Sequence, residues 1–335
     1  MKIAIFGAGV VGGFLAAKLA GAGAVAVARG ASLAAMKAKG ITLIEGGASR
    51  THRVPVTGDP RTLGPQDLVI VTLKAHSMPS AAVEIASLYG PDTVVIAAQN
   101  GLPWWYFHRE GGPLEGERIK AVDPDGSLFA RLDPVRVLGC VVQIAATSPE
   151  PGMIRHQFGN RFILGEPDGT LSPRLRAAAA VLASAGLQAP TTTEVRREIW
   201  QKLWGNIAFN PLSVLTGAGM DRLIGDPATR RIAATIMDEA ERVANRLGIR
   251  FDVTREARLN GLVQLGGYKT SMLQDVEAGR PVELGALCEA VMEIADRFEI
   301  PTPTLEVVAS LAKLRAAQAE NQGSRPASPG ASIPS

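Results

Sequence analysis

The sequence predicts an α/β protein: an N-terminal Rossmann-type doubly wound sheet followed by an all-helical C-terminal domain. Short β-branched runs alternate with alanine-rich helical stretches in the first half, a glycine pattern follows the first of these runs, and strand signals nearly vanish after Glu194. Continuously apolar strands separated by helices are typical of a parallel sheet that is covered on both faces. We predict domains over 1–190 and 191–318, and a tail over 319–335.

The elements of the first domain follow in chain order. The first strand, KIAIF, precedes the helix VGGFLAAKLA, and further strands are predicted at VAVAR, DLVIVTLK and DTVVIAAQN. After about residue 136, no long helix separates VLGCVVQIAAT from MIRHQFGNRFILGE, which predicts an extension of the sheet. A further helix is predicted at SPRLRAAAAVLASAG.

Helical periodicity defines the second domain. Apolar residues recur at spacings of three and four through ATRRIAATIMDEAERVANRLG and VELGALCEAVMEIADRFE, which predicts a helical bundle. The break between the domains is predicted near GLQAPTTTE, residues 186–194. The final residues are rich in Ser, Pro and Gly, so we expect a disordered tail.

Composition excludes several function classes. The formal net charge is only +3, and the basic residues are scattered among acids, so we expect no nucleic-acid partner. We find neither a basic leader with a cleavage site nor an apolar run long enough for a bilayer, which predicts a cytoplasmic protein without membrane association. Cys140 and Cys288 lie far apart and match no ligand spacing, so we expect neither a disulfide nor a metal site.

A GxGxxG pattern directly after the first strand predicts dinucleotide binding. Gly7 permits a tight turn, Gly9 lets the backbone approach a pyrophosphate, and Gly12 allows close packing of helix against strand. The diphosphate would lie at the helix N-terminus. The alternative is a purely structural glycine turn. The predicted cofactor-binding residues here are Gly7, Ala8, Gly9, Val10, Val11 and Gly12.

Residues after the next strands suggest which dinucleotide binds. An NAD site usually carries an acid after the second strand, whereas this chain has Arg29, whose guanidinium suits the 2′-phosphate of NADPH. An exposed arginine at a strand end is the alternative. Lys74 and the pair Gln99 and Asn100 end two further strands at the edge where ligands bind, although QNG also fits a simple turn.

A polar stripe marks the start of the second domain. Lys202, Asn206 and Asn210 are four residues apart, so they lie on one narrow face of a helix with apolar flanks. A lysine can polarise a carbonyl and donate a proton, and asparagines can bind a carboxylate or hydroxyl while staying neutral. The stripe suits a 2-oxo acid, although an ordinary hydrogen-bonded seam between helices is the alternative.

The ordered set of motifs resembles the ketopantoate reductase (2-dehydropantoate 2-reductase) family over roughly residues 1–315. The resemblance is carried by GAGVVG, VTLKAH, QNG, KLWGNIAFNPL, SMLQD and the acid of RPVEL. It implies a Rossmann domain followed by a helical domain, with the active site between them. It also implies NADPH-dependent reduction of ketopantoate to pantoate, on the route to pantothenate.

The resemblance also implies roles for individual residues. Lys202 would be the proton donor, and Asn206 and Asn210 would hold the substrate. Ser271 would bind the carboxylate or hydroxyl region, although a helix cap or surface hydroxyl is the alternative. Glu283 would contact the cofactor near its reacting end, or be a solvated acid at a helix start. Arg29, Lys74 and Asn100 match the family's 2′-phosphate arginine and cofactor-cleft residues.

Two departures concern substrate identity. Met220 stands where the family commonly has a further substrate asparagine, and the segment after Asn100 is longer than usual. Its aromatic residues either fill core or line a bulkier substrate pocket. These residues are Trp104, Trp105, Tyr106 and Phe107.

We therefore predict NADPH-dependent reduction of a 2-oxo acid, with ketopantoate as first candidate and a homodimer possible. One alternative is a dehydrogenase of the β-hydroxy acid type acting on another small acid. The other is a non-enzymatic NADPH-binding sensor, which would need no proton donor such as Lys202.

Overall fold

The computed structural model describes residues 1–323 and divides into two compact units, Met1–Ile199 and a second unit that begins at Trp200. The predicted domain break after residue 190 comes too early, because strand β10 (Thr191–Thr192) still pairs with the sheet of the first unit. The predicted tail also begins too early, since helix α12 (Pro303–Gly323) includes residues 319–323. The rest of that tail lies outside the described residues.

The first unit contains one ten-stranded sheet, in the order β4-β3-β9-β8-β7-β6-β1-β2-β5, with β10 paired to β9. The remaining strands are β1 (Ile3–Phe6), β2 (Val25–Val27), β3 (Ile41–Glu45), β4 (Ala48–His52), β5 (Val56–Thr57), β6 (Gln66–Val71), β7 (Tyr89–Ala97), β8 (Val137–Thr147) and β9 (Met153–Gly165). Its α-helices are α1 (Val10–Lys18), α2 (Gly30–Lys39), α3 (Met78–Ala86), α4 (Ser127–Arg131) and α5 (Pro173–Ser184).

Parallel pairing runs from β5 through β2, β1, β6 and β7 to β8, which confirms the predicted Rossmann-type sheet. The extension after residue 136 is also confirmed, because β8 and β9 pair antiparallel. The hairpin of β3 and β4 was not predicted. It turns at Gly46 and Gly47, both with positive φ, and β3 then pairs parallel with β9.

The core of the first unit follows from its apolar strands. All four residues of β1 are buried, as are all six residues from Phe162 to Pro167 around the end of β9. Phe14 of α1 stacks on Phe162 with ring centroids 6.5 Å apart, and Leu175 and Leu182 of α5 pack in the same cluster. This packing fixes the turn between β1 and α1, where the glycine pattern lies.

In the described part of the second unit, every regular element is helical, as the periodicity predicts. They are α6 (Val195–Thr216), which begins in the first unit, then α7 (Met220–Gly225), α8 (Pro227–Arg246), α9 (Arg255–Leu262), α10 (Ser271–Glu277), α11 (Ala290–Arg297) and α12. A π-helical turn at Gly285–Glu289 precedes α11. Within residues 1–323, no helix combines the length and apolarity that a membrane span requires.

Candidate active site

The turn between β1 and α1 is held by backbone geometry that only glycine accommodates at two positions. Gly7 has φ of +102°, a left-handed conformation that L side chains rarely adopt. A Cβ on Gly12 would lie 2.2 Å from the Gly7 carbonyl oxygen and 2.5 Å from Thr72 Oγ1. Thr72 Oγ1 donates to that same Gly7 carbonyl at 2.6 Å. Gly7 and Gly12 are therefore required by the fold itself.

Gly9 differs from the other two glycines of the pattern. Its φ is −77°, it is exposed, and a Cβ built on it meets no heavy atom within 4 Å. The fold does not require glycine at this position. Gly9 caps α1, whose first-turn N–H groups have no intrahelical acceptors and whose dipole favours an anion. The open side of Gly9 therefore fits a diphosphate that approaches the backbone closely.

Arg29 lies two residues after β2, which ends at Val27, and is the N-cap residue of α2, beside the glycine turn in the sheet order. Its side chain is 58% exposed and forms an ion pair with Glu84 of α3. Arg29 therefore follows the second strand, its 2′-phosphate role stays a prediction, and in the structure its guanidinium is paired with an acid that no sequence motif indicated. No sequence pattern links Glu84 to Arg29, because the two meet only through the packing of α3.

Lys74 and Asn100 follow the ends of the adjacent strands β6 and β7, and both are partly exposed. Gln99 connects these two strand ends, since its Nε2 donates to the Leu73 carbonyl at 3.3 Å. The predicted cofactor residues of the first unit therefore lie at the carboxyl ends of four neighbouring strands, β2, β1, β6 and β7. Ligands bind at this edge in open parallel sheets.

Helix α6 carries the predicted polar stripe. Lys202 and Asn206 are partly exposed and Asn210 is 4% exposed, and all three are helical as predicted. The apolar flanks are buried, with Trp204 donating its Nε1–H to the Met237 carbonyl at 2.9 Å and stacking on Phe251. Burial of these flanks fixes the rotation of α6 within the second unit.

Pro211 lies inside α6 and cannot donate a backbone hydrogen bond to the carbonyl of Ile207 one turn earlier. Cys288 supplies a donor instead, with its Sγ 4.0 Å from the Ile207 carbonyl oxygen. Cys288 is fully buried, and this burial raises the pKa of its thiol, so the S–H proton is retained. The Cys288 thiol thereby connects the π-helical turn to α6 at Ile207, the residue after Asn206 of the polar stripe.

Ser271 is the first residue of α10 and is exposed. The helix cap is Thr270, whose Oγ1 accepts from the Leu273 N–H at 3.2 Å. Of the alternatives for Ser271, the helix cap is therefore wrong, whereas the surface hydroxyl agrees with its exposure. Thr270 is buried and also contacts Ser213 of α6, a hydroxyl pair that no sequence motif indicated.

Glu283 lies immediately before Leu284 and the π-helical turn, and it is partly exposed. Its carbonyl oxygen accepts from the Leu287 N–H at 3.2 Å. π-Helical turns inside helices occur frequently at functional sites. The predicted substrate residues of the second unit therefore lie on α6 and at the start of α10, and Glu283 lies beside this turn.

The aromatic segment after Asn100 is buried, which favours the core-filling alternative over a pocket-lining role. Each of its four rings is 1% exposed, and a Cβ on Gly139 would lie 2.6 Å from the Trp105 ring. Arg196 holds the segment by donating to the carbonyls of Tyr106 at 2.7 Å, His108 at 2.6 Å and Pro167 at 2.5 Å. Burial lowers the pKa of Arg196.

Met220 is 3% exposed at the start of α7, so the position where the family commonly has a further substrate asparagine is apolar and buried in this chain.

A cavity of about 670 Å³ in the second unit is lined by the end of α6, by α10 and by α12, including Thr216, Leu273 and Arg315. Its lining includes none of the predicted site residues. Among the described residues, no cluster of three or more His, Cys, Asp or Glu side chains could hold a metal ion.

Comparison with known proteins agrees with this architecture. The protein-family model for ketopantoate reductase PanE/ApbA matches residues 3–108. The family model for the C-terminal domain of ketopantoate reductase PanE/ApbA matches residues 194–316. A 2-dehydropantoate 2-reductase of Mesorhizobium japonicum is 49% identical over 93% of this chain and 97% of its own length.

Solved structures give the same result. A protein assigned as a ketopantoate reductase from Ralstonia solanacearum MolK2 is 45% identical with a TM-score of 0.90, over 95% of this chain and 98% of its own. A 2-dehydropantoate 2-reductase from Geobacter metallireducens is 28% identical with a TM-score of 0.81, over 94% and 99% of the two chains.

The open glycine turn on a Rossmann-type sheet, followed by an all-helical unit, defines a dinucleotide-dependent oxidoreductase. Within that class, the chain belongs to the ketopantoate reductase family.

Proposed function

We propose that the protein uses NADPH to reduce a 2-oxo acid to a 2-hydroxy acid, and that the acid is 2-dehydropantoate (ketopantoate). The observation that carries this proposal is the 49% identity to a 2-dehydropantoate 2-reductase over nearly the whole of both chains. The relatives favour this activity over the two alternatives, a β-hydroxy acid dehydrogenase and a sensor without catalysis. A homodimer, a cytoplasmic location and the absence of nucleic-acid binding stay predictions.

The residues of the glycine turn fit a bound dinucleotide. The open face of Gly9 and the start of α1, with Val10 and Val11, would hold the diphosphate of NADPH. Arg29 would bind the 2′-phosphate through charge-assisted hydrogen bonds, exchanging its exposed ion pair with Glu84 for the phosphate. Lys74, Asn100 and Glu283 would complete the cofactor contacts. When bound, NADPH supplies the hydride that reduces the carbonyl carbon.

The polar stripe of α6 supplies the remaining chemistry. Asn206 and Asn210 would orient the oxo acid with neutral carboxamides, and Ser271 would bind its carboxylate or hydroxyl end. The Lys202 ammonium would polarise the carbonyl and then give a proton to the developing alkoxide oxygen. A single ammonium group can thus both stabilise the developing negative charge on the oxygen and protonate it.

A substrate panel tests the proposal. Oxidation of NADPH would be followed with ketopantoate, pyruvate, 2-oxoisovalerate and phenylglyoxylate, and NADP⁺ reduction would be followed with 3-hydroxy acids. We expect the highest kcat/KM for ketopantoate. Faster reaction with a 3-hydroxy acid would support the β-hydroxy acid alternative, and NADPH binding without turnover of any acid would support the sensor.

A further inference from the structure

Two buried hydroxyl groups join helix α6 to helix α10. Ser213 of α6 is 0% exposed, and Thr270, the cap of α10, is 6% exposed. Their oxygen atoms lie 2.5 Å apart. Ser213 comes three residues after Asn210, and Thr270 comes directly before Ser271. The hydroxyl pair therefore lies between the two segments that carry the proposed substrate residues of these helices.

The direction of the hydrogen bonds follows from counting protons. Ser213 donates its single hydroxyl proton to the Asn210 carbonyl at 2.7 Å, so it can only accept from Thr270. Thr270 in turn accepts from the Leu273 N–H at 3.2 Å. One directed chain thus runs from the Leu273 amide through Thr270 and Ser213 to the carbonyl of Asn210.

We propose that Ser213 and Thr270 are positioning residues that fix Ser271 relative to Asn210, so that both contact the substrate together. This inference depends on the proposed function, because it assigns the pair a role in substrate binding. Neither hydroxyl touches the reacting atoms. Since the hydrogen bonds are buried, water does not replace them when one partner is removed, and the start of α10 loses its fixed distance from α6.

The variant Ser213→Ala removes the connection between the helices together with the bond to the Asn210 carbonyl, while Thr270 keeps its capping bond to Leu273. We expect KM for the 2-oxo acid to rise about 3- to 10-fold, the equivalent of one net buried hydrogen bond. We expect kcat, its pH profile and NADPH affinity to stay unchanged. Thr270→Ser retains the hydroxyl and should keep KM near the wild-type value.

Ser184→Ala is the matched control, because Ser184 makes the same bond to a carbonyl three residues earlier on α5 but is exposed. An unchanged KM in folded Ser213→Ala protein would overturn the proposal. A parallel loss of kcat, substrate affinity, NADPH affinity and melting temperature would also overturn it, since that pattern indicates a general loss of structure.

A second measurement separates this inference from the proposed function. Hydrogen exchange of the peptide covering residues 270–277 should accelerate in Ser213→Ala and stay unchanged in Ser184→Ala. If the wild-type protein reduces no 2-oxo acid, the proposed function fails. In that case faster exchange would still establish that Ser213 holds the start of α10, and the substrate-positioning role would be rejected with the function.

Discussion

Cys288 Sγ lies 4.0 Å from the carbonyl oxygen of Ile207, the acceptor that Pro211 leaves without a helical donor. A proline inside a helix removes one hydrogen bond and usually bends the chain. A buried thiol donor from another helical segment compensates here, in the middle of the polar stripe. The bond is weak, but it satisfies a carbonyl that water does not reach.

The thiols should resist alkylation in the native protein. Cys140 and Cys288 are both buried, and burial raises the pKa of Cys288, so its reactive thiolate is absent at about pH 8. We expect iodoacetamide to label neither cysteine in the folded chain and both in urea, as measured by intact mass. Rapid native labelling of Cys288 would contradict the buried donor.

Replacing Lys202 by Ala should lower kcat by roughly 10² to 10⁴, the usual contribution of general acid catalysis. NADPH affinity should persist, because the glycine turn and Arg29 are unchanged. Lys37→Ala, at an exposed lysine of α2, is the control and should keep full turnover. Steady-state kinetics and fluorescence titration with NADPH would measure both effects. Normal turnover of the Lys202 variant would reject the proton-donor role.

Gly9 and Gly12 should respond differently to the same added methyl group. Gly12→Ala forces a Cβ to within 2.2 Å of a backbone oxygen, so we expect a lower melting temperature. Gly9→Ala meets open space, so its melting temperature should equal that of the wild type, while NADPH binds more weakly. Thermal unfolding with and without NADPH separates the effect on stability from the effect on NADPH binding. Wild-type NADPH affinity in Gly9→Ala would argue against diphosphate binding at this turn.

Arg29→Ala should weaken NADPH binding about 10-fold or more and leave NADH binding nearly unchanged, because only NADPH carries the 2′-phosphate. Glu84→Gln removes the partner seen in the structure, and an exposed ion pair contributes little to stability. We expect this control to shift NADPH affinity by less than about threefold. If both variants lowered NADPH affinity equally, Arg29 would act only through its ion pair with Glu84 and would not bind the 2′-phosphate.

Arg196→Met should destabilise the first unit, because three carbonyls around the aromatic segment lose a charged donor. Hydrogen bonds to charged groups contribute about 1.5–3 kcal/mol each, so losing three of them should lower the free energy of unfolding by about 4.5 kcal/mol or more. Arg61→Met, at a 74% exposed arginine, is the control and should leave the free energy of unfolding nearly unchanged. Urea unfolding measures both values.

Local patterns were enough to predict the parallel sheet, the glycine turn, the helical second unit and the placement of the stripe on one helix. The β3–β4 hairpin was missed, although Gly46–Gly47 between extended runs is a recognisable turn signal. The pairs Arg29–Glu84, Ser213–Thr270 and Cys288–Ile207 could not be predicted. Each joins residues that are distant in sequence, so only tertiary packing brings them together.

The buried aromatic segment bears on any attempt to redesign substrate range. Trp104, Trp105, Tyr106 and Phe107 look attractive as library positions, yet each is only 1% exposed. Randomising them would mostly yield insoluble variants and little new selectivity. Directed evolution toward other acids should begin instead with the partly exposed Asn206 and the exposed Ser271, where a changed side chain disturbs less of the interior.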